Sequence, residues 1–251
     1  GGVNLVRRVG GGMDPFAASL SGTTNSTTWD IFTRKKFGRL ELAAEAPITS
    51  GRISGVTAST YALALEGRYA ASDAWNFSTR LGHIPGQSGD ASKIRGFFAH
   101  PNYKLGLILF NYQLAGLSGI NLGSGALTSV FNAPLTNANY LHLAGDYTSG
   151  KWQFRGSWTY AQALETAGTT GSRYYNQWTR AFEDGGGSVA QASSLGWELD
   201  AGATFHWDDH FEFKADTGAF MPGDFFKYTA ADPGNQTGTV LAFVIGVGAK
   251  F

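Results

Sequence analysis

The sequence contains no cysteine, which excludes disulfide staples, thiolate metal sites and a cysteine nucleophile. It is also short of charge. Asp, Glu, Lys and Arg supply 15% of its 251 residues, against about 25% in an ordinary soluble domain. The formal net charge is zero, so the basic excess that a nucleic-acid partner calls for is missing. No apolar run approaches the ~18 residues needed for a membrane-crossing helix. The most apolar window, Leu105–Phe110, is a fraction of that length. No stretch of useful length shows helical periodicity. The chain starts at Gly1 without a signal peptide, as a mature chain or a piece of a longer one would.

What is present is glycine, at 35 residues, and aromatic side chains, at 14%. They fall into a two-residue alternation, the period of a strand with unlike faces. From Leu195 to Trp207 every odd position is apolar, while the even positions include Glu198, Asp200, Thr204 and His206. Phe211 to Ala219 repeats the pattern against Glu212, Lys214 and Asp216. The same alternation runs through Lys151–Tyr160, Leu141–Thr148, Tyr61–Ala70, Arg39–Ala46 and Trp75–Leu81. It is weaker over Val3–Val9 and Trp29–Lys36. Ile94–His100 and Tyr103–Leu114 are apolar on both faces in places and are read as strands too.

Connectors alternate in length. Lys36–Gly38, Ser72–Ala74, Pro101–Asn102, Ser149–Gly150 and Asp208–His210 are tight. Gly10–Thr28, Pro47–Val56, Pro85–Lys93, Ala115–Ala138, Leu164–Ser194 and Met221–Gly238 are longer. Short turns on one side and long loops on the other, with Trp197 and Trp207 or Trp152 and Tyr160 near opposite ends of a strand, fit a transmembrane barrel with aromatic girdles. A soluble sandwich also alternates but does not sort its loops this way. The expectation is therefore an all-β fold: one antiparallel up-and-down transmembrane β-barrel over residues 1–251, with about twelve strands. It either closes by itself or forms the C-terminal portion of a larger barrel.

The last strand, Thr239–Phe251, places Leu241, Phe243, Ile245, Val247, Ala249 and Phe251 on one face and ends in phenylalanine. It resembles the assembly signal of bacterial outer-membrane proteins, with Phe243, Ile245, Val247 and Phe251 as the residues read by the barrel-assembly machinery. Upstream, Leu195-Gly196-Trp197-Glu198-Leu199-Asp200 and then Phe220-Met221-Pro222-Gly223-Asp224 resemble the last part of the alginate-export porin family. That resemblance implies a Gram-negative outer-membrane location and passive export of a polyanionic polysaccharide. Its implied partners are outer-membrane lipid, lipopolysaccharide and a hydrophilic solute.

The polar alternate positions then line a lumen. Its selectivity candidates are Arg39, Glu41, Glu66, Arg68, Arg80, Asp146, Lys151, Arg155, Glu198, Asp200, Glu212, Lys214 and Asp216. Charges there either pair across the wall or select solutes. The five histidines, His83, His100, His142, His206 and His210, lack metal-ligand spacing. Neither a metal nor another cofactor is called for. No nucleophile, base and orienting group are brought together by the sequence, so an enzyme is not expected. The short basic run Arg34-Lys35-Lys36 reads as a solvated edge or a contact for a periplasmic partner. Two functions follow: a porin-like channel for hydrophilic solutes, or a structural and interaction barrel, scaffold or adhesin, that uses its long loops.

Overall fold

A computed structural model describes residues 1–11, 22–100, 102–111, 135–176, 181–228 and 237–250. Fourteen strands occur among them: β1 Gly2–Gly11, β2 Thr23–Phe37, β3 Leu40–Ile53, β4 Val56–Tyr61, β5 Leu63–Ala70, β6 Trp75–Ile84, β7 Lys93–Ile94, β8 Ala138–Ser149, β9 Trp152–Gln162, β10 Arg173–Asn176, β11 Ala181–Asp184, β12 Ser194–His206, β13 Phe211–Pro222 and β14 Val240–Ala249. The main sheet runs β1-β2-β3-β5-β6-β8-β9-β12-β13-β14, with β4 beside β3 and β7 beside β4. Strands β10 and β11 make a separate antiparallel hairpin. A short 3-10 helix covers Asp224–Lys227.

Local chemistry fixes the tight turns. Gly38 and Gly150 adopt φ of 59° and 57°, a left-handed conformation that glycine enters without steric cost. Ser72 Oγ accepts from the amides of Ala74 and Trp75. Asp208 Oδ1 accepts from those of His210 and Phe211 at 2.8 Å. The long side is organised by buried polar side chains instead. Gln87 Oε1 accepts from Arg95 N and Gly96 N, while Nε2 donates to Lys93 O at 2.7 Å. Asn137, itself at φ 53°, accepts from Leu164 N and Glu165 N and donates to Glu165 O. These bonds satisfy loop backbone groups that would otherwise be buried without partners.

The sheet is open, which corrects the closed up-and-down transmembrane barrel expected above. Strand β1 pairs with β2 and β14 with β13, and no pairing joins β1 to β14 among the described residues. The strands and their two unlike faces are present. Alternation states which side of a pleat is oily; it carries no information on whether the first strand meets the last.

Smaller differences have equally local causes. Strand β3 runs on to Ile53 through the segment read as a loop, and turns at Ser54-Gly55, where Ser54 N donates to Thr24 Oγ1. Ala62 interrupts one long strand into β4 and β5. Of the expected strand Ile94–His100 only Ile94 lies in a strand, with Lys93 of the preceding connector, in parallel with β4. Residues 102–111 form no strand, because their backbone is engaged by side chains of the sheet rather than by a neighbouring ladder. Parts of several expected long loops, and Pro101, lie outside the described residues.

Candidate functional site

Cross-strand register places the sequence-selected polar residues on one face. One row reads Arg34, Ala43, Glu66, Arg80, His142, Thr159, Glu198 and Phe220. The next reads Lys36, Glu41, Arg68, Ser78, Ala144, Ser157, Asp200 and Gly218. The intervening positions form the opposite face, with Leu42, Leu81, Leu143, Trp197, Leu199, Phe243 and Ile245 among them. Their side chains are exposed.

The core lies on the polar side of the sheet, toward the long loops. It joins Ile84, Tyr140, Ala161, Leu195 and Phe220 of the strands to Leu105, Ile108, Leu109, Phe110, Leu135, Phe225 and Phe226 of the connectors. Phe220 and Phe226 meet edge to face at 5.8 Å. The arrangement inverts the ordinary one: the core is built on the charge-bearing face, around Glu198 and His142, while the oily face is bare.

The cover over the polar face is the segment 103–111. Glu198 is wholly buried, at 0% exposure. Its Oε1 accepts from Ile108 N at 2.7 Å and its Oε2 from Leu109 N at 2.6 Å. Asp200 Oδ2 accepts from Leu107 N at 3.3 Å and from Ser157 Oγ at 3.1 Å. Arg80 Nη1 donates to Lys104 O at 3.0 Å, and the hydroxyls of Tyr103 and Tyr140 meet at 2.9 Å. Gly106 is required by space: a Cβ there would lie 2.6 Å from Glu198 Oε2. The segment is thus held by side-chain bonds to its backbone, a grip that does not depend on its side chains.

Burial sets the electrostatics. It pushes the Glu198 carboxyl up to about 8, with the Asp200 side chain raising it further and the two amides opposing. It pushes His142 down to about 4, helped by the nearby Arg80 guanidinium. A neutral His142 ring shares a hydrogen bond of 2.9 Å with Thr159 Oγ1. The Tyr103 and Tyr140 hydroxyls are both raised, chiefly by desolvation.

The remaining candidates dissolve into local pairs. Glu41 pairs with Arg34 and Asp146 with Arg155. Glu66 lies 3.7 Å from Arg80, and Lys214 lies 3.1 Å from Asp216. Glu212 lies 3.6 Å from His206. Arg39 and Lys151 donate to the backbone oxygens of Ala71 and Trp207. Arg68 joins Arg34, Glu41, Glu66 and Arg80 around a cavity of about 260 Å³. Only Glu198, Asp200 and Arg80 converge on one task. Phe243, Ile245 and Val247 lie on the exposed side of β14, and Phe251 is outside the described residues. Sequence reasoning missed Gln87, Asn137 and the covering segment itself. The available signal was an apolar run, Leu105–Phe110, that failed to alternate.

No protein-family model matches the chain, and a search of curated proteins finds no match. The resemblance to the alginate-export family therefore finds no support. Its residues have local explanations: Gly196 sits at φ 102° in a register shift of β12, packed against β13, and Gly223 packs against Ser194. Glu198 and Asp200 hold the segment 103–111.

Without closure among the described residues the sheet encloses no lumen. The diffusion or export channel, its hydrophilic solute and the selectivity lining all required one, so they lose their basis. The same correction applies to the outer-membrane location and to lipid, lipopolysaccharide and the barrel-assembly machinery as partners. Each was inferred from a cylinder wall that the strand order does not form.

Proposed function

We propose that the chain is a non-catalytic interaction scaffold that docks another protein on the apolar face of its sheet. The observation that carries this reading is the extent of bare aliphatic and aromatic surface. Trp75, Phe77, Trp152, Phe154, Phe213 and Phe243 are all exposed, on strands from β6 to β14. Contiguous apolar patches beyond a few hundred Å² mark interaction sites. Exposure peaks at the free edge, where Leu241 reaches 75% and Ile245 71%. Strand β14, VLAFVIGVGA, has neither proline nor charge, the devices that ordinarily keep an edge from pairing. An extended segment of a protein partner can therefore add to the sheet by main-chain bonds. The packed loop side gives the platform a rigid border.

Sedimentation of the purified chain, with and without Ile245→Asp, tests the proposal. The expected result is a concentration-dependent complex, of the chain with itself or with a co-purified protein, that the substitution weakens at least about tenfold, the scale of an interface hot spot. A monodisperse monomer in plain buffer, identical for both proteins, would contradict it.

A further inference from the structure

We infer that the segment 103–111 is a proton-gated latch: Glu198 holds it on the polar face while its carboxyl carries a proton toward Asp200, and loss of that proton frees the segment. The geometry comes first. Glu198 and Asp200 are two apart on β12, on one face of the sheet, and between them accept from three successive backbone amides, those of Leu107, Ile108 and Leu109. Asp200 Oδ1 is buried with no hydrogen-bond partner. An acceptor left unsatisfied at such depth is costly. A proton on the neighbouring Glu198 carboxyl supplies a donor to this crowded pair, whose two side chains interact on one face of β12.

Ionising Glu198 removes that donor and puts a second negative charge into a dry site. Like charges in low dielectric repel strongly. The other groups facing the pair do not relieve it. Arg80 on β6 is engaged by Lys104 O and lies near Glu66 on β5. Arg155 on β9 is engaged by Asp146, and His142 on β8 is neutral. Strand β13 contributes Gly218 and Phe220 to these two rows. Phe110, at the end of the segment, is held at φ 63°, a conformation uncommon for a bulky side chain. Release lets that residue relax and frees the Arg80 guanidinium from Lys104 O.

The sign is fixed by the direction of the shift. Glu198 titrates higher in the latched state than in the free one, so latching is strongest at low pH. It weakens as pH rises from the ordinary carboxylate range through about 8. Between those two values each pH unit costs about tenfold in the latched population, and above about 8 the dependence levels off, as one-proton linkage requires.

Amide hydrogen exchange on the full chain between pH 6.5 and 9.5, corrected for intrinsic rates, reads this directly. Protection at Ile108 and Leu109 is expected to fall at least about tenfold between pH 6.5 and 8 and to level off above that, while the β8–β9 ladder stays protected. In Glu198→Gln, which keeps the shape without the titration, protection of the same amides becomes pH-independent. Lys104, whose Nζ donates to Phe110 O and whose pKa burial lowers, is intact in that variant and serves as the internal control. Should Glu198→Gln fail to fold, the unmodified chain still decides. A flat profile at Ile108 and Leu109 overturns the latch, as does an unchanged profile in a folded Glu198→Gln.

Discussion

The two faces of the main sheet handle opposite problems in opposite ways. The polar face is covered where the segment 103–111 lies on it, while Arg34 and Arg155 farther along stay largely exposed, and many of its charges are answered by a specific partner: Arg155 by Asp146, Arg80 by Lys104 O, Glu198 by two amides. The apolar face is bare, and its aromatic rings meet mainly each other, as Trp75 meets Tyr147 at 4.7 Å and Trp152 meets Phe205 at 4.7 Å. Specific hydrogen bonds position one segment on the first face. Undirected apolar area invites a partner onto the second. The difference teaches that substitutions on the covered face act on stability, and those on the open face act on association.

The largest expected effect is at Glu198. Glu198→Ala leaves the amides of Ile108 and Leu109 buried without acceptors and opens a cavity, at a cost of about 3–4 kcal/mol in a denaturant titration. Next comes Gly196→Ala. Its φ of 102° and its packing against the β13 backbone set a penalty of about 2–3 kcal/mol, seen as a lower Tm. Gln87→Ala removes the bonds that organise the turn before β7. About 1–3 kcal/mol is expected, with exchange rising at Arg95 and Gly96 first. At the small end is Arg155→Ala. Its side chain is 62% exposed in the pair with Asp146, so stability changes by less than about 1 kcal/mol. On the open face, Ile245→Asp is expected to leave Tm almost unchanged while weakening association, which is the sharpest form of the contrast.

His142 supplies a pH prediction of opposite sign to the latch. Its folded pKa is depressed to about 4, so the fold favours the neutral ring. Its contribution is present above the ordinary histidine value near 6.5 and is lost as pH falls from there toward 4. Thermal unfolding followed from pH 7 to 4 should show the Tm advantage of the chain over His142→Gln shrinking as pH falls, a difference in which the opposite contribution of Glu198 cancels.

Much of the sheet was legible in the sequence because a half-covered strand writes its faces into every second residue. Leu195–Trp207 and Phe211–Ala219 become β12 and β13 within a residue or two at the start of each. What was illegible is what alternation does not encode. Pairing between β1 and β14 depends on curvature and neighbours, so closure was inferred and is not found. The segment 103–111 resembles a strand in composition, yet its amides bond to carboxylates distant in sequence. The β10–β11 hairpin was hidden inside a polar connector because it is short, and its aromatic pair, Tyr175 and Phe182, packs edge to face locally. The polar candidates share one face by cross-strand register, but their tasks come from three-dimensional neighbours alone.

Residue-resolved oxidative footprinting at increasing protein concentration tests the central claim most directly. It predicts that Trp75, Trp152, Trp197 and Phe243, all exposed in the isolated chain, become protected together as the complex forms, while Val189 on the loop side stays reactive. Equal reactivity of these aromatic side chains at every concentration, with or without co-purified protein, would contradict a docking role for the apolar face.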